Sequence, residues 1–207
     1  MKRFSILFVV LCASTFALAQ KADVAFVAGG SFVNDSKVTF LPGSTIVDTV
    51  KTNNHVFLEG ALGVQMFNAH LAFLSLEVPV VGIPSQQLTL ASTASTVVDH
   101  LSTVFVTPAL RLKFVPAAPI APWVSVGGGW ARFSTDSGVT NNKGALEYGG
   151  GLDFKTGLPV LGFRAEVRDF VTGNPNFGSI NLVNGAIGQG GFHRHNLMVG
   201  GGIVLRF

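Results

Sequence analysis

Apolar and polar side chains alternate along the last stretch of the chain, from His195 to Phe207. Because successive side chains of a strand point to opposite faces, one face carries only apolar residues and glycine from Leu197 onward, whereas the other carries Asn196 and Arg206. The chain ends of water-soluble domains are usually polar. An apolar face that continues to a final aromatic residue is instead typical of a strand that lies against lipid.

The same alternation recurs along the chain in segments of about ten residues, the length of a strand that crosses a membrane. There are eight such segments, at about 22–34, 53–66, 70–80, 103–114, 123–134, 144–155, 161–168 and 195–207. Pro108 lies within the fourth segment, and because proline lacks the N–H donor of a paired strand, it predicts a bulge there. No stretch shows the 3.6-residue period over the length that a helical-repeat or α/β fold would need.

The connections between these segments alternate in length. Short ones lie near 67–69, 115–122 and 156–159, and longer ones near 35–52, 81–102, 135–143 and 172–192. Within the second long connection, residues 87–101 fit either a short helix at the loop tip or an extension of the flanking strands. After residue 20 no run of 18 apolar residues occurs, which excludes helical spans. The sequence therefore predicts an all-β fold, a closed eight-stranded antiparallel up-and-down transmembrane β-barrel with both termini at the short-turn end.

Charged residues follow the same alternation and share the inner face of the predicted barrel. They are Glu59, Glu77, Arg111, Lys113, Glu147, Asp153, Arg164, Glu166, Arg168 and Arg206. An outward Arg or Lys at the bilayer midplane would cost about 2–4 kcal/mol. An eight-stranded barrel is just wide enough for its own side chains, and an unpaired buried charge is costly. We therefore expect these five acids and five bases to form a salt-bridged, hydrated plug in the lumen.

Large aromatic residues are expected at the edges of the lipid-facing belt. They are Trp130, Tyr148, Phe154, Phe163 and Phe207 on the outward face, with Trp123 at the start of a strand. Aromatic girdles at both interfaces are a general property of membrane barrels.

The first twenty residues have the composition of an export signal. Lys2 and Arg3 precede an apolar run from Phe4 to Phe16, and Ala17-Leu18-Ala19 precedes Gln20. A positive region, an apolar region and an A-x-A site together predict a cleaved signal peptide over residues 1–19. The barrel domain is then expected over residues 20–207.

Composition narrows the range of functions. The chain is 48% hydrophobic and only 12% charged, whereas soluble domains are about 25% charged. The single cysteine, Cys12, lies in the predicted signal, so the mature chain has no thiol chemistry. Removal of Lys2 and Arg3 lowers the net charge from +3 to +1, which gives no support to nucleic-acid binding.

The predicted signal, the eight alternating segments, the paired lumen charges and the terminal Ile203-Val204-Leu205-Arg206-Phe207 resemble the small outer-membrane β-barrel superfamily, which includes the OmpA transmembrane domain, OmpX and OmpW. The resemblance implies insertion in the lipids of a bacterial outer membrane after export. It also implies periplasmic chaperones and the barrel-assembly machinery as partners during biogenesis. Phe207 would form the assembly signal with Leu205, Ile203 and Val199.

Several short motifs are candidate sites of chemistry. The glycine runs at 127–129, 149–151 and 200–202 lie in strand patterns and do not match a phosphate-binding loop. His193-Arg194-His195 lacks a third ligand for a metal and is expected to be polar loop sequence. His100-Leu101-Ser102 has an H-x-S spacing similar to that of lipid A deacylase barrels, and Asp99 could orient the ring. It begins the fourth segment, however, and is followed by Thr103-Val104 rather than that family's Asn-Ala. No catalytic residue, cofactor or metal is therefore expected.

These patterns predict an integral outer-membrane protein with a structural or adhesion role through its extracellular loops, for which the sequence names no ligand. One alternative is a small channel for ions or for small or hydrophobic solutes, as in OmpW-like barrels. A lipid A or phospholipid hydrolase is a second alternative. A soluble secreted barrel of lipocalin type would require an apolar interior.

Overall fold

The computed structural model describes the greater part of the chain after residue 20. The described residues are 21–33, 36–39, 47–52, 55–69, 71–91, 96–136, 138, 140–173 and 193–207. The predicted signal peptide and its cleavage site at Ala17, Ala19 and Gln20 lie outside them.

The described residues form antiparallel strands. In chain order these are β1 (Ala22–Val33), β2 (Ser36–Thr39), β3 (Val47–Thr52), β4 (His55–Ala69), β5 (Ala72–Ala91), β6 (Thr96–Val106), β7 (Ala109–Phe114), β8 (Ile120–Thr135), β9 (Thr140–Lys155), β10 (Leu161–Gly173) and β11 (His193–Arg206). Around the barrel the order is β1, β4, β5, then β6 with β7, β8, β9, β10 and β11, which pairs again with β1. Because β6 and β7 occupy one place in the wall, the described strands form the predicted closed eight-stranded barrel.

Pro108 separates β6 from β7, as its missing donor predicts. The ladder between β5 and β6 ends at the pair Val80 and Val106, and the ladder between β5 and β7 resumes at Glu77 and Ala109. The carbonyl of Pro108 still accepts a hydrogen bond from the N–H of Gly128, at 3.2 Å. The ladder with β5 is therefore interrupted at this point, but the wall remains connected to β8.

Side-chain exposure follows the predicted alternation. In β4, Val56, Leu58 and Leu62 are exposed, whereas Phe57 and Glu59 between them are buried. The last strand closes the barrel against the first, since the N–H of Phe207 donates to the carbonyl of Ala22 at 2.9 Å. The apolar face is thus on the outside and the polar face lines the lumen. Among the described residues, no helix is long and apolar enough to cross a membrane.

The two ends of the barrel differ. One end, which we call the short-turn end, has the brief connections from β4 to β5, from β7 to β8 and from β9 to β10. The first residues of β1 and the last residues of β11 also lie there. At the other, the long-loop end, the predicted boundaries were wrong. Residues 81–102 are not one loop, because β5 continues to Ala91 and β6 begins at Thr96. The predicted loop at 135–143 shrinks to the few residues between β8 and β9, and 35–52 contains β2 and β3.

A small sheet extends the barrel wall at the long-loop end. β4 pairs with β5 no further than Gly82, and β3 takes its place beside residues 88–91 of β5, followed by β2. β6 pairs with the same part of β5 on its other side. Strand extension, rather than a helix at the loop tip, is therefore the arrangement that the structure adopts for residues 87–91 and 96–101.

Candidate functional site

The charged residues predicted for the lumen come from six strands and meet in the half of the barrel nearer the short-turn end. β4 supplies Glu59 and β5 supplies Glu77, while the others come from β7, β9 and β10, with Arg206 at the end of β11. Nine of the ten side chains are buried. The side chain of Arg206 is 23% exposed and lies at the rim. We call this set, together with Asp23, the charged layer.

Glu77 occupies the centre of the charged layer. Its carboxylate forms ion pairs with the guanidinium groups of Arg111, Arg164 and Arg168, and none of these four side chains is more than 1% exposed. The Arg164 pair joins Nη1 to Oε2 at 3.2 Å. Since an anion this deeply buried is stable only with close cationic partners, the three arginines compensate the burial of one carboxylate.

Two further carboxylates complete the network on either side of Glu77. Asp153 accepts a hydrogen bond from Nε of Arg164 at 2.9 Å and pairs with the ammonium group of Lys113. Glu147 accepts hydrogen bonds from Nη1 of Arg168 at 3.1 Å and from the Ser125 hydroxyl at 2.7 Å. The network therefore runs across the lumen without a gap between these groups.

Arg168 pairs with the remaining carboxylates of the charged layer. Its Nη2 lies 3.3 Å from an oxygen of Glu59 and 3.3 Å from one of Glu166. With Glu77 and Glu147, four carboxylates surround this single guanidinium. One carboxylate of the four can therefore be neutralised without leaving Arg168 unpaired.

Two residues in or against the charged layer, Asp23 and Trp123, were not predicted to lie there. Asp23 accepts a hydrogen bond from Nη2 of Arg111 at 2.5 Å, and its side chain is 13% exposed. Its position on the inner face of the first segment was the signal that could have added it. Trp123 was expected in an aromatic girdle, and this expectation was wrong.

Trp123 lies inside the lumen and is 1% exposed. The guanidinium carbons of Arg164 and Arg168 lie 5.0 Å from its ring centroid, within the range of cation–π contacts. Its alternation with Val124 places it on the inner parity, which outweighs its place at the start of β8. Gly151 makes room for the ring, since a Cβ atom there would come within 2.8 Å of the indole.

The half of the lumen nearer the long-loop end contains a large apolar cluster, with buried Gln86, Arg194 and Asn196 beside it, an arrangement that the sequence reasoning missed. The buried residues of the cluster are Val27, Phe57, Val81, Ile83, Leu101, Phe105, Ala131, Phe133, Ala145, Phe170 and Met198. The ring centroid of Phe105 lies 4.9 Å from that of Phe170 and 6.3 Å from that of Phe133. We call this cluster the apolar layer. On every barrel strand that contributes to both, the apolar layer lies on the long-loop side of the charged layer.

The expected girdle residues other than Trp123 face outward. Trp130, Tyr148, Phe163 and Phe207 are half or more exposed, and Phe154 is partly exposed. The proposed assembly-signal residues Val199, Ile203 and Leu205 share this outer face with Phe207. The glycine runs lie within β8, β9 and β11, as their strand patterns indicate.

The H-x-S residues have separate hydrogen-bond partners. The Ser102 hydroxyl donates to the carbonyl of Ser134 at 3.2 Å, whereas Nδ1 of His100 lies 3.3 Å from the Ser85 hydroxyl. Because the Ser102 proton is directed to a backbone oxygen, this geometry does not prepare its hydroxyl as a nucleophile.

The His193-Arg194-His195 motif is not loop sequence, since β11 begins at His193. Alternation along this strand separates the next two side chains. Arg194 points into the lumen, with Nη2 3.4 Å from Oε1 of Gln86, whereas Nδ1 of His195 lies 2.6 Å from Asp169 outside it. Within the described part of the chain, no three His, Cys, Asp or Glu residues are placed to hold a metal.

Comparison of the sequence with protein-family models and with curated proteins finds no match. Solved structures do match. The outer membrane protein OprG from Pseudomonas aeruginosa aligns with a TM-score of 0.56 at 12% identity, over 91% of this chain and 96% of that one. Neisserial surface protein A aligns with a TM-score of 0.49 at 13% identity, over 90% and 97%. The N-terminal β-barrel domain of P. aeruginosa OprF aligns with a TM-score of 0.46 at 14% identity, over 91% and 97%. On the alignment with OprG and its own strand order, the chain has the fold of the small eight-stranded outer-membrane β-barrels.

Proposed function

We propose that this chain is an integral outer-membrane barrel with a closed lumen, which anchors an interaction surface at its long-loop end. The observation that carries the proposal is the stacking of the charged layer and the apolar layer across the whole lumen. A barrel closed in this way is suited to display its loops rather than to pass solutes.

The outer face supports insertion in a membrane. Among the barrel side chains that the structure describes, exposed Val, Leu, Ile and aromatic residues cover this face, and the acids and bases of the charged layer point inward. Arg132 and Asp169 are outward charges, and both lie in the part of their strands toward the long-loop end. A soluble lipocalin-type barrel would have the opposite arrangement, with an apolar interior and a polar outside. In the general plan of these barrels, the short-turn end faces the periplasm.

Closure of the lumen rests on packing in both layers. The side chains of Glu77, Arg111 and Arg164 are fully buried in the charged layer, and those of Phe105 and Phe133 are fully buried in the apolar layer. An ion would have to break several buried ion pairs and then pass between the packed side chains of the apolar layer. Because each step costs several kcal/mol, we expect no conductance.

The extension of the wall supports an interaction role at the long-loop end. β2, β3, β5 and β6 form a continuous antiparallel sheet beyond the point where β4 stops pairing. Such a sheet offers a hydrogen-bonded base for contacts outside the membrane. We assign the outer-membrane lipids as surrounding partners, and the periplasmic chaperones and the assembly machinery as partners during biogenesis.

Planar-bilayer recording with the refolded protein tests the closed lumen. We expect no stable single-channel steps for the natural chain. Phe105→Ala with Phe133→Ala thins the apolar layer, and Phe163→Ala removes an outward ring as a matched control. Since the charged layer stays intact in all three proteins, we expect silence from each. Stable steps from the natural chain would establish the small-channel alternative instead.

Cell fractionation tests the location. The chain should be recovered with the outer membrane and should migrate differently on gels before and after boiling. Protease added to whole cells should cut at the long-loop end and spare the short turns. Recovery in the soluble periplasm would overturn the membrane assignment.

A further inference from the structure

The short-turn end of the barrel opens into a cavity of about 770 Å³. The ends of β1 and β11, the turn at 115–119 and the turn at 156–160 surround its mouth, and the charged layer forms its inner wall. We call this cavity the vestibule. Its volume lies within the range of about 300–1,000 Å³ that is usual for small-molecule sites.

Cations dominate the lining of the vestibule. The basic residues are Lys21, Arg111, Lys113, Lys155 and Arg206, and the acidic side chain is Asp23. The lining therefore carries an excess of positive charge. A concave site lined by one sign of charge concentrates the field and attracts ions of the opposite sign.

Three of these cations are poorly neutralised by the protein itself. In the described part of the chain, no carboxylate lies within 4.0 Å of the ammonium groups of Lys21 or Lys155, and Lys155 donates to the carbonyl of Ala117 at 2.9 Å. Arg206 reaches a carboxylate of Asp153 only at 4.0 Å. That carboxylate is already bound by Lys113 and Arg164. The cations at the mouth of the vestibule are therefore only partly neutralised, whereas the cations of the charged layer behind it have close carboxylate partners.

We propose that the vestibule binds a small solute that carries two or more anionic groups, of the polycarboxylate or diphosphate class. A cavity of this volume is about 11 Å across if spherical, and the anionic groups of the solute would pair with cations among Lys21, Lys155 and Arg206. Side-chain amides of Gln65 and Asn68 on the same lining can donate further hydrogen bonds.

The lining also favours a solute with a partly apolar carbon skeleton. Phe73 and Val160 line the cavity between the cations and can pack against the carbon skeleton of the solute. Because the layers above close the lumen, the vestibule is a blind cavity and the solute enters and leaves at the short-turn end. Only this single entrance rests on the proposed closed lumen, and binding does not.

Calorimetric titration of the natural chain in lipid nanodiscs tests the site. The probes are citrate and pyrophosphate, with acetate as the monovalent control and sucrose as the neutral control. We expect saturable binding of at least one multivalent probe, at least tenfold tighter than acetate, and no heat from sucrose. Binding of citrate alone or pyrophosphate alone identifies which of the two chemistries the site prefers.

Variants separate a built site from a general charge effect. Lys155→Gln with Arg206→Gln should weaken binding of the multivalent probe at least tenfold. Arg132→Gln removes an equal kind of charge from the outer face at the other end of β8 and should change it less than twofold. Altered migration on unboiled gels would reveal misfolding of the double variant, and Lys155→Gln alone should then still weaken binding at least threefold.

Absence of saturable binding by both multivalent probes would overturn the proposal, and so would an equal loss in Arg132→Gln. Channel activity in planar bilayers with intact binding would overturn only the closed lumen. The two proposals therefore fail by different measurements.

Discussion

Replacement of Glu77 by glutamine removes one negative charge from the centre of the charged layer while it preserves the shape of the side chain. Three buried guanidinium groups, from Arg111, Arg164 and Arg168, then lose their shared anion. They retain other partners, because Asp23, Asp153 and Glu147 each bind one of them. The variant thus isolates the contribution of the central carboxylate.

The expected effect follows from these contacts. At an effective dielectric constant of about 20, each close pair contributes roughly 4 kcal/mol, or about 12 kcal/mol for three pairs. Dehydration of the carboxylate and repulsion among the three guanidinium groups oppose most of this. Removal of one partner from a buried ion pair usually costs about 3–5 kcal/mol, and we expect Glu77→Gln to fall in that range.

The assay is equilibrium unfolding in urea or guanidinium chloride with the protein in lipid vesicles, followed by gel migration without boiling. The matched control is Glu166→Gln, which also neutralises a buried lumen carboxylate. Glu166 has one close partner, Arg168 at 3.3 Å, and reaches Arg164 only at 4.0 Å, whereas Glu77 has three. Arg168 keeps three other carboxylates in that variant, so the free energy of unfolding should fall clearly less than in Glu77→Gln. Equal stability of Glu77→Gln and the natural chain would refute the reasoning, because it would mean that dehydration cancels the three attractions.

Two other predictions concern assembly and packing. Deletion of Phe207, or Phe207→Asp, should lower the outer-membrane level on immunoblots far more than Arg206→Gln, since the ring lies on the outer face and is 71% exposed; equal levels would contradict this order. Gly151→Ala should lower the free energy of unfolding by about 1–3 kcal/mol, because the added Cβ atom would meet a strand carbonyl and the indole of Trp123. Gly60→Ala is the control, with open space around its Cβ position, and an equal loss there would show that the indole contact is not the cause.

The fold could be predicted because membrane insertion makes the alternation strict. Every charge placed outward in the belt is costly, so the period-two pattern of segments such as 144–155 reports the two faces directly. Beyond the belt this constraint ends. Residues 81–91 and 96–102 form strands, whereas their pattern predicted a long connection and left a helix or a strand extension open for 87–101, because polar side chains are tolerated on both faces outside lipid.

The organisation of the lumen could be predicted only in part. Parity places Glu77 and Arg168 inside, but it does not say that they meet, because height in a barrel depends on the stagger between strands. For the same reason the separation of charged and apolar layers was missed. Trp123 was misplaced because a preference of its residue type for interfaces was given more weight than its own parity.

The ion pairs of Glu77 with Arg164 and Arg168 join opposite walls of the barrel, since β5 and β10 are four places apart in a ring of eight. They connect residues separated by 87 and 91 positions in the chain. Contacts of such long range form late, after most of the loop entropy has been lost. A hairpin excised from this barrel would retain its ladder but lose its electrostatic partners, so the chain should fold and unfold as one cooperative unit, with slow unfolding as the result.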